Sequence, residues 1–132
     1  MPLIEFENVG VTFDTSTGQR TVLQDINLSL DERRIGIIGA NGSGKSTLVR
    51  LINGLAEPTS GHVRVAGLDV AKSGRQVRRK VGFVFSDADN QIIMPTVAED
   101  VAFSLRATSM NSQERKERAA AMLRTMGLEH LA

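Results

Sequence analysis

The sequence predicts an α/β domain with a mixed β-sheet, and three observations lead to this prediction. Apolar and polar residues alternate in 3–13 and again in 26–30, which indicates two half-buried antiparallel strands. Residues 35–38 are apolar on both faces, as expected of a buried parallel strand. A segment with helical spacing of its apolar residues follows at once. This order of elements is typical of a mixed sheet covered by helices.

The N-terminal part is predicted to be an antiparallel β subdomain. Its first strand covers residues 3–13, and residues 14–19 form a loop because they are rich in Asp, Ser, Thr and Gly. The second strand returns at 26–30, and the charged turn 31–34 leads into the buried strand at 35–38. The sheet therefore begins with antiparallel strands and continues with a parallel one.

The middle of the chain alternates between helix and strand. Apolar residues recur at helical spacing after the 39–46 loop, and Asn53-Gly54 predicts the end of that helix. A turn at 58–61 precedes a short strand at 62–66, and residues 81–85 form a second buried-strand candidate. The basic run between 75 and 80 is interpreted as a solvated face that leads into this strand.

Two helix starts in the last third of the chain are marked by capping residues. Thr96 and Glu99 have the spacing of a capping box, which predicts a helix to about Leu105. Asn111 and Glu114 have the same spacing and predict a last helix of about fifteen residues, which ends at Gly127.

Composition excludes several classes of protein. The 132 residues suffice for one domain of modest size, and 41% hydrophobic with 23% charged residues is ordinary for a globular chain. The formal charge of +1 gives no electrostatic reason to expect nucleic acid or an anionic membrane as a partner. The absence of cysteine excludes disulfides and thiolate metal sites. No signal peptide or membrane span is predicted, so we expect a cytoplasmic chain.

The loop at 39–46 predicts a phosphate-binding site. Its sequence Gly-Ala-Asn-Gly-Ser-Gly-Lys-Ser follows a buried strand and precedes a helix, which is where the P-loop of nucleotide-binding proteins lies. Glycines let the backbone curl so that several N–H groups converge on an anion. Lys45 supplies a charge between the β- and γ-phosphates, and Ser46 offers a hydroxyl to Mg²⁺. The predicted nucleotide-binding residues are Gly39, Ala40, Asn41, Gly42, Ser43, Gly44, Lys45, Ser46 and Thr47.

The segment 39–48 resembles the Walker A sequence of ATP-binding-cassette (ABC) ATPases. The stretches 54–67, 81–91 and 95–103 are similar to the same proteins, and in particular to the energy-coupling-factor branch that powers vitamin and cobalt or nickel uptake. The likeness is greatest to the biotin-uptake ATPase component. It covers the whole chain, but only the N-terminal half of such an ATPase domain.

The resemblance implies a set of ligands and partners. ATP and Mg²⁺ would be bound, and Phe13, at the end of the first strand, would stack on adenine. A core position in line with Val9 and Val11 is the alternative for Phe13. The partners would be an integral-membrane transporter subunit and a second ATPase subunit in a head-to-tail dimer. The expected location is the inner face of the cell membrane, reached through the partner, with residues 89–95 facing it.

Two departures from the family pattern concern catalysis. The family has Gln after the strand that ends at Phe85, whereas this chain has Ser86, with Gln91 five residues further on. The signature segment, the Walker B strand and the switch His of the family are absent from residues 1–132. We therefore expect no catalytic residue in this chain. Alone, it should bind nucleotide weakly or misfold in part, and it should not hydrolyse ATP at a useful rate. We expect the full-length parent to be the transport ATPase.

A compact non-transport protein is the alternative function. In that interpretation Asp87 follows the 81–85 strand as a Mg²⁺ ligand, and the chain is a small kinase or a GTPase-like protein. The sequence leaves the cargo of a transporter open between biotin, cobalt and other vitamins.

Overall fold

A computed structural model of the chain describes residues 2–87 and 89–132. These residues form two compact units, Met1–Phe83 and Val84–Ala132. Ala88, which belongs to one of the family-like stretches, lies outside the described residues.

The first unit is built on a four-stranded antiparallel sheet with the strand order β2-β1-β3-β4. The two long strands form a hairpin, and the two short strands extend it on the other side of β1. Two helices, α1 and α2, complete the unit. The strands are β1 (Ile4–Thr15), β2 (Gly18–Leu30), β3 (Ser60–Val65) and β4 (Leu68–Asp69), and the helices are α1 (Lys45–Ile52) and α2 (Gly74–Lys80).

The N-terminal hairpin is longer than predicted. Residues 14–19 were expected to be a loop, but β1 and β2 stay paired as far as Thr15 opposite Gly18. The turn itself has two residues. Gly18, which follows it, adopts a φ of 123°, and the Thr15 hydroxyl donates to the Gly18 carbonyl at 2.5 Å. The polar composition of the segment therefore marks an exposed strand end and a tight turn.

The core of the first unit lies between the sheet and α1. Val9 and Val11 of β1 are 0% and 1% exposed, and Leu51 of α1 and Val77 of α2 are both fully buried. The predicted end of α1 is confirmed, since Asn53 follows Ile52 as the C-cap and Gly54 has a φ of 79°. Helix α2 was missed because its residues are mostly basic. Val77 anchors it while the arginines around it remain exposed.

The two predicted buried strands, at 35–38 and 81–85, are not formed in the described residues. Neither 35–38 nor 81–85 belongs to the sheet of the described residues, and Ile38 is 99% and Val84 92% exposed. An apolar run becomes a buried strand only where neighbouring strands pair with it. In the sheet of the first unit, β3 instead pairs with β1, and β4 pairs with β3. Of the mixed sheet that was expected, the structure therefore contains the antiparallel part.

Ion pairs link the neighbouring strands β1 and β3. Arg64 Nη1 donates to Glu7 Oε2 at 2.8 Å and lies 3.8 Å from Glu5 Oε2. The hydrogen bond and charge of Arg64 lower the pKa of Glu7, and Glu7 in turn raises the pKa of Arg64. Both groups are at the surface, so the pair should add little stability.

The second unit contains two helices, α3 (Val97–Phe103) and α4 (Ser112–Thr125), and short 3₁₀ turns at Asp89–Gln91 and Glu129–Leu131. Both predicted capping boxes are confirmed. The backbone N–H of Glu99 donates to Thr96 Oγ1 at 3.2 Å. The backbone N–H of Glu114 donates to Asn111 Oδ1 at 2.9 Å. Within the described ranges, no helix has the length and apolarity that a membrane crossing requires.

Candidate functional site

The 39–46 loop curls back on itself before α1 begins. The backbone N–H of Ser43 donates to the Ala40 carbonyl at 3.1 Å and closes a turn. Gly42 and Gly44 adopt φ angles of 80° and 99°, in the left-handed region where glycine is favoured. A side chain at Gly44 would also meet Leu23 Cδ2 at 2.9 Å. Glycine at this position thus allows the loop to pass close to β2.

The N-terminus of α1 presents unpaired donors. Gly44 is the N-cap and offers no side-chain acceptor. In residues 2–87 and 89–132, the backbone N–H groups of Lys45, Ser46 and Thr47 have no hydrogen-bond acceptor, whereas that of Leu48 reaches the Gly44 carbonyl at 2.9 Å. Free N–H groups and the positive end of the helix dipole favour an anion at this position.

The Lys45 side chain folds over the loop. Its ammonium donates to the Gly39 carbonyl and, at 2.9 Å, to the Ala40 carbonyl. An ammonium carries three donors, so one remains for a further acceptor. Gly39 belongs to the site through this contact, and a side chain at Gly39 would come within 2.7 Å of Ser43 Oγ.

A cavity of about 400 Å³ opens between the loop and the tip of the β1–β2 hairpin. Nine of the ten predicted nucleotide-binding residues line it, and Gly39 is the one that does not. Three further residues of the hairpin line it that the sequence interpretation did not single out. The lining residues are Phe13, Thr15, Arg20, Val22, Ala40, Asn41, Gly42, Ser43, Gly44, Lys45, Ser46 and Thr47.

Phe13 is a cavity residue and not a core residue. It is 47% exposed, whereas Val9 and Val11 on the same strand are buried. The core interpretation of Phe13 is therefore wrong. An exposed ring on the wall of the cavity offers a face on which a planar group can stack.

Two of the three missed residues, Arg20 and Thr15, follow from the hairpin register. Arg20 lies opposite Phe13 and Thr15 lies opposite Gly18. Because residues 14–19 were expected to be a loop, no cross-strand neighbour of Phe13 could be assigned. Extending the strand alternation through the turn would have placed Arg20 beside Phe13.

The residues present suit a Mg²⁺–triphosphate. The free N–H groups and Lys45 suit phosphate oxygens, and the Ser46 hydroxyl on the cavity wall is a hard oxygen ligand of the kind that Mg²⁺ accepts. No group of three acidic or histidine side chains that could hold a metal occurs among the described residues. A divalent ion here would accordingly depend on Ser46, phosphate oxygens and water.

The segment that follows residue 85 belongs to the second unit and has its own polar contacts. Asn90 Nδ2 donates to Asp87 Oδ2 at 2.5 Å, and Gln91 Nε2 donates to the Asp87 carbonyl at 3.3 Å. Asp87 is thus engaged by its neighbours in the 3₁₀ turn. Ser86 lies in a bend that precedes this turn.

Comparison with known proteins gives one consistent family. The family described as ABC transporter matches residues 23–132. A Bartonella quintana protein classed as an ABC transporter ATP-binding protein is 47% identical over 129 residues, which are 98% of this chain and 55% of the relative. The biotin transport ATP-binding protein BioM of Rhizobium etli is 44% identical and is covered to the same extent. The chain therefore spans about half the length of the curated relatives it matches.

Solved structures give the same result. CbiO1 from Clostridium perfringens, part of the ABC transporter complex CbiONQ, superimposes with a TM-score of 0.79 at 30% identity. The alignment covers 98% of this chain and 52% of the CbiO1 chain. The ATP-binding cassette MJ0796, in a dimeric structure with ADP and Pi, gives a TM-score of 0.82 at 31% identity, with 98% of this chain and 60% of that chain aligned. These matches do not favour a compact kinase or a GTPase-like protein.

Proposed function

The chain belongs to the ABC transporter family, and from this premise we propose that it binds MgATP through the 39–47 loop as part of a transport ATPase. The observation that carries the proposal is the convergence of donors on one cavity. The first N–H groups of α1 and the Lys45 ammonium meet at the wall of the cavity, and Ser46 adds a hydroxyl. This donor set fits a polyphosphate, which carries several negative charges in a small volume.

Different residues of this chain are proposed to contact different parts of the nucleotide. The loop amides and Lys45 hold the β- and γ-phosphates, and Thr47 adds a donor beside them. When bound, Mg²⁺ would supply positive charge that offsets the negative charge of the phosphates. Ser46 is proposed as the protein ligand of this ion. Positive charge and fixed amides thereby orient the γ-phosphate without a covalent step on the protein.

Because the chain spans about half the length of its curated relatives, we propose that hydrolysis is carried out by a longer, full-length protein that would contain these residues. Transfer to water needs a positioned nucleophile in addition to phosphate binding. Ser86 stands where the resemblance places Gln, and no catalytic residue is proposed within residues 1–132. The role of this chain is thus to bind and orient the nucleotide.

The proposed task of the longer protein is to energise an importer of the energy-coupling-factor type, with biotin as the favoured cargo. A relative named for biotin transport, 44% identical, supports this choice. The partners proposed are an integral-membrane subunit and a second ATPase subunit, and the location is the inner face of the membrane. Support comes from one structural relative described as part of a transporter complex and another described as dimeric.

Binding of MgATP is the direct test of the proposed function. Isothermal titration of the chain with ATP and Mg²⁺ is expected to show saturable binding of one nucleotide, which weakens when EDTA removes the ion. Calorimetry suits this chain because it contains neither Trp nor Tyr as an intrinsic fluorophore. Absence of heat or of saturation at millimolar MgATP would reject the assignment.

Phe13→Ala is expected to weaken ATP binding and to leave the fold intact. Stacking of a base on an aromatic ring contributes about 1–3 kcal/mol, so the Kd for ATP should rise by roughly fivefold to a hundredfold. The fold should persist because Phe13 is 47% exposed. Titration calorimetry and circular dichroism measure the two effects.

Phe6→Ala is the matched control for Phe13→Ala, since Phe6 on the same strand is 3% exposed. This variant should lose about 3–5 kcal/mol of unfolding free energy. If Phe13→Ala instead unfolds the chain or leaves the Kd unchanged, the stacking role of Phe13 is rejected.

Purification of the longer protein from membranes tests the transport role separately. The proposal expects an integral-membrane subunit to remain bound to it after mild detergent extraction. An ATP-binding protein that is recovered without any membrane subunit would contradict the importer role and leave the nucleotide assignment intact.

A further inference from the structure

The side chain of Arg20 lies on the wall of the nucleotide cavity and is not used by the fold. It is exposed and faces the cavity together with Phe13, its cross-strand neighbour. The pairs on either side each make an internal hydrogen bond, between Thr12 and Thr21 at 3.2 Å and between Asp14 and Gln19 at 3.3 Å. Within the described part of the chain, the Arg20 guanidinium forms no ion pair and no hydrogen bond.

The position of Arg20 along β2 indicates which part of a nucleotide it can reach. Val22 lies against the phosphate loop, because its carbonyl would be 3.2 Å from a side chain at Gly44. Arg20 is two residues away along β2, within about 7 Å of Val22, and both residues line the cavity. A nucleotide with its phosphates in the loop therefore extends past Val22 and brings its nucleoside end to Phe13 and Arg20.

We propose that Arg20 contacts the base and ribose of the bound nucleotide and is a second determinant of affinity beside Phe13. The inference rests on the proposed function, since it needs the phosphates in the loop. A guanidinium is planar and weakly hydrated, so it packs against a flat purine ring and donates hydrogen bonds in the plane of its fork. A lysine ammonium retains the charge but lacks the planar surface and the fork.

Arg20→Lys separates contact with the nucleoside from contact with the phosphates. The variant keeps the charge, and two ligands are titrated by calorimetry: MgATP and inorganic magnesium tripolyphosphate. We expect the Kd for MgATP to rise about two- to fivefold, while the Kd for tripolyphosphate stays unchanged. Unchanged tripolyphosphate binding also shows that the loop of the variant is intact.

Two results overturn the inference. An unchanged Kd for MgATP means that Arg20 makes no contact that depends on its fork. An equal loss of affinity for both ligands means that Arg20 contacts the phosphates. Arg79→Lys is the matched control, because Arg79 is exposed on α2 outside the cavity and should change neither Kd.

The experiment distinguishes failure of this inference from failure of the proposed function. Lys45→Ala, titrated in parallel, should weaken the binding of both MgATP and tripolyphosphate. If Lys45→Ala leaves both Kd values unchanged, the phosphates are not bound at the loop and the proposed function fails. If Lys45→Ala raises both Kd values while Arg20→Lys changes neither, only the role of Arg20 fails.

Discussion

Lys45→Ala should raise the Kd for MgATP by at least about thirtyfold, since truncating one partner of a close charged pair costs about 2–5 kcal/mol. The ammonium is the only cation among the residues of the loop, and it is already held over the loop by the Gly39 and Ala40 carbonyls. Its position is therefore fixed before the ligand arrives, which reduces the ordering cost of binding. Calorimetric titration of the variant and the parent chain gives the ratio of the two Kd values.

The fold should tolerate the loss of Lys45. Its side chain is not buried, and the turn below it is closed by the backbone bond from Ser43 to Ala40. The unfolding free energy should change by less than about 1 kcal/mol. Lys72→Ala removes a lysine that is exposed outside the cavity, so it should leave the Kd unchanged. Equal affinity of Lys45→Ala and Lys72→Ala would place the phosphates elsewhere on the chain.

Features that depend on neighbours in sequence could be predicted. Each capping box is set by two residues three positions apart, and both are present at Thr96 and Asn111. The conformation of the 39–46 loop is likewise encoded locally, by glycines that permit positive φ and by a helix that begins at Lys45. The resemblance to ABC ATPases rests on the same local segments and is confirmed, as is the α/β class through the solved relatives.

Features that depend on pairing with distant residues could not be predicted. Apolar residues at 35–38 satisfy the pattern of a buried strand, yet a strand exists only where another backbone pairs with it. The pattern alone cannot report whether such a partner is present. The cavity wall also depends on strand pairing, because Arg20 becomes a neighbour of Phe13 only through the register of the extended hairpin. Composition had suggested a loop at the residues that set this register.

Gly61→Ala should lower the unfolding free energy by roughly 2–5 kcal/mol, which is a large share of the stability of a small domain. Gly61 has a φ of 74°, and a side chain there would lie 2.2 Å from the Asn8 carbonyl oxygen and 2.3 Å from that of Glu7. Both atoms belong to the backbone of β1, so the clash cannot be relieved by rotating a side chain. Relief would require β1 and β3 to separate at the irregularity between Glu7 and Gly10, where their register shifts.

Urea unfolding followed by circular dichroism measures this loss, with Gly82→Ala as the matched control. Gly82 has no heavy atom within 4 Å of an added side chain and no positive φ, so its variant should keep the stability of the parent. Equal midpoints for the two variants would show that β1 and β3 do not approach each other as closely as the structure describes. Because β1 also carries Phe13, a separation of these strands in Gly61→Ala should weaken MgATP binding as well, although Gly61 does not line the cavity.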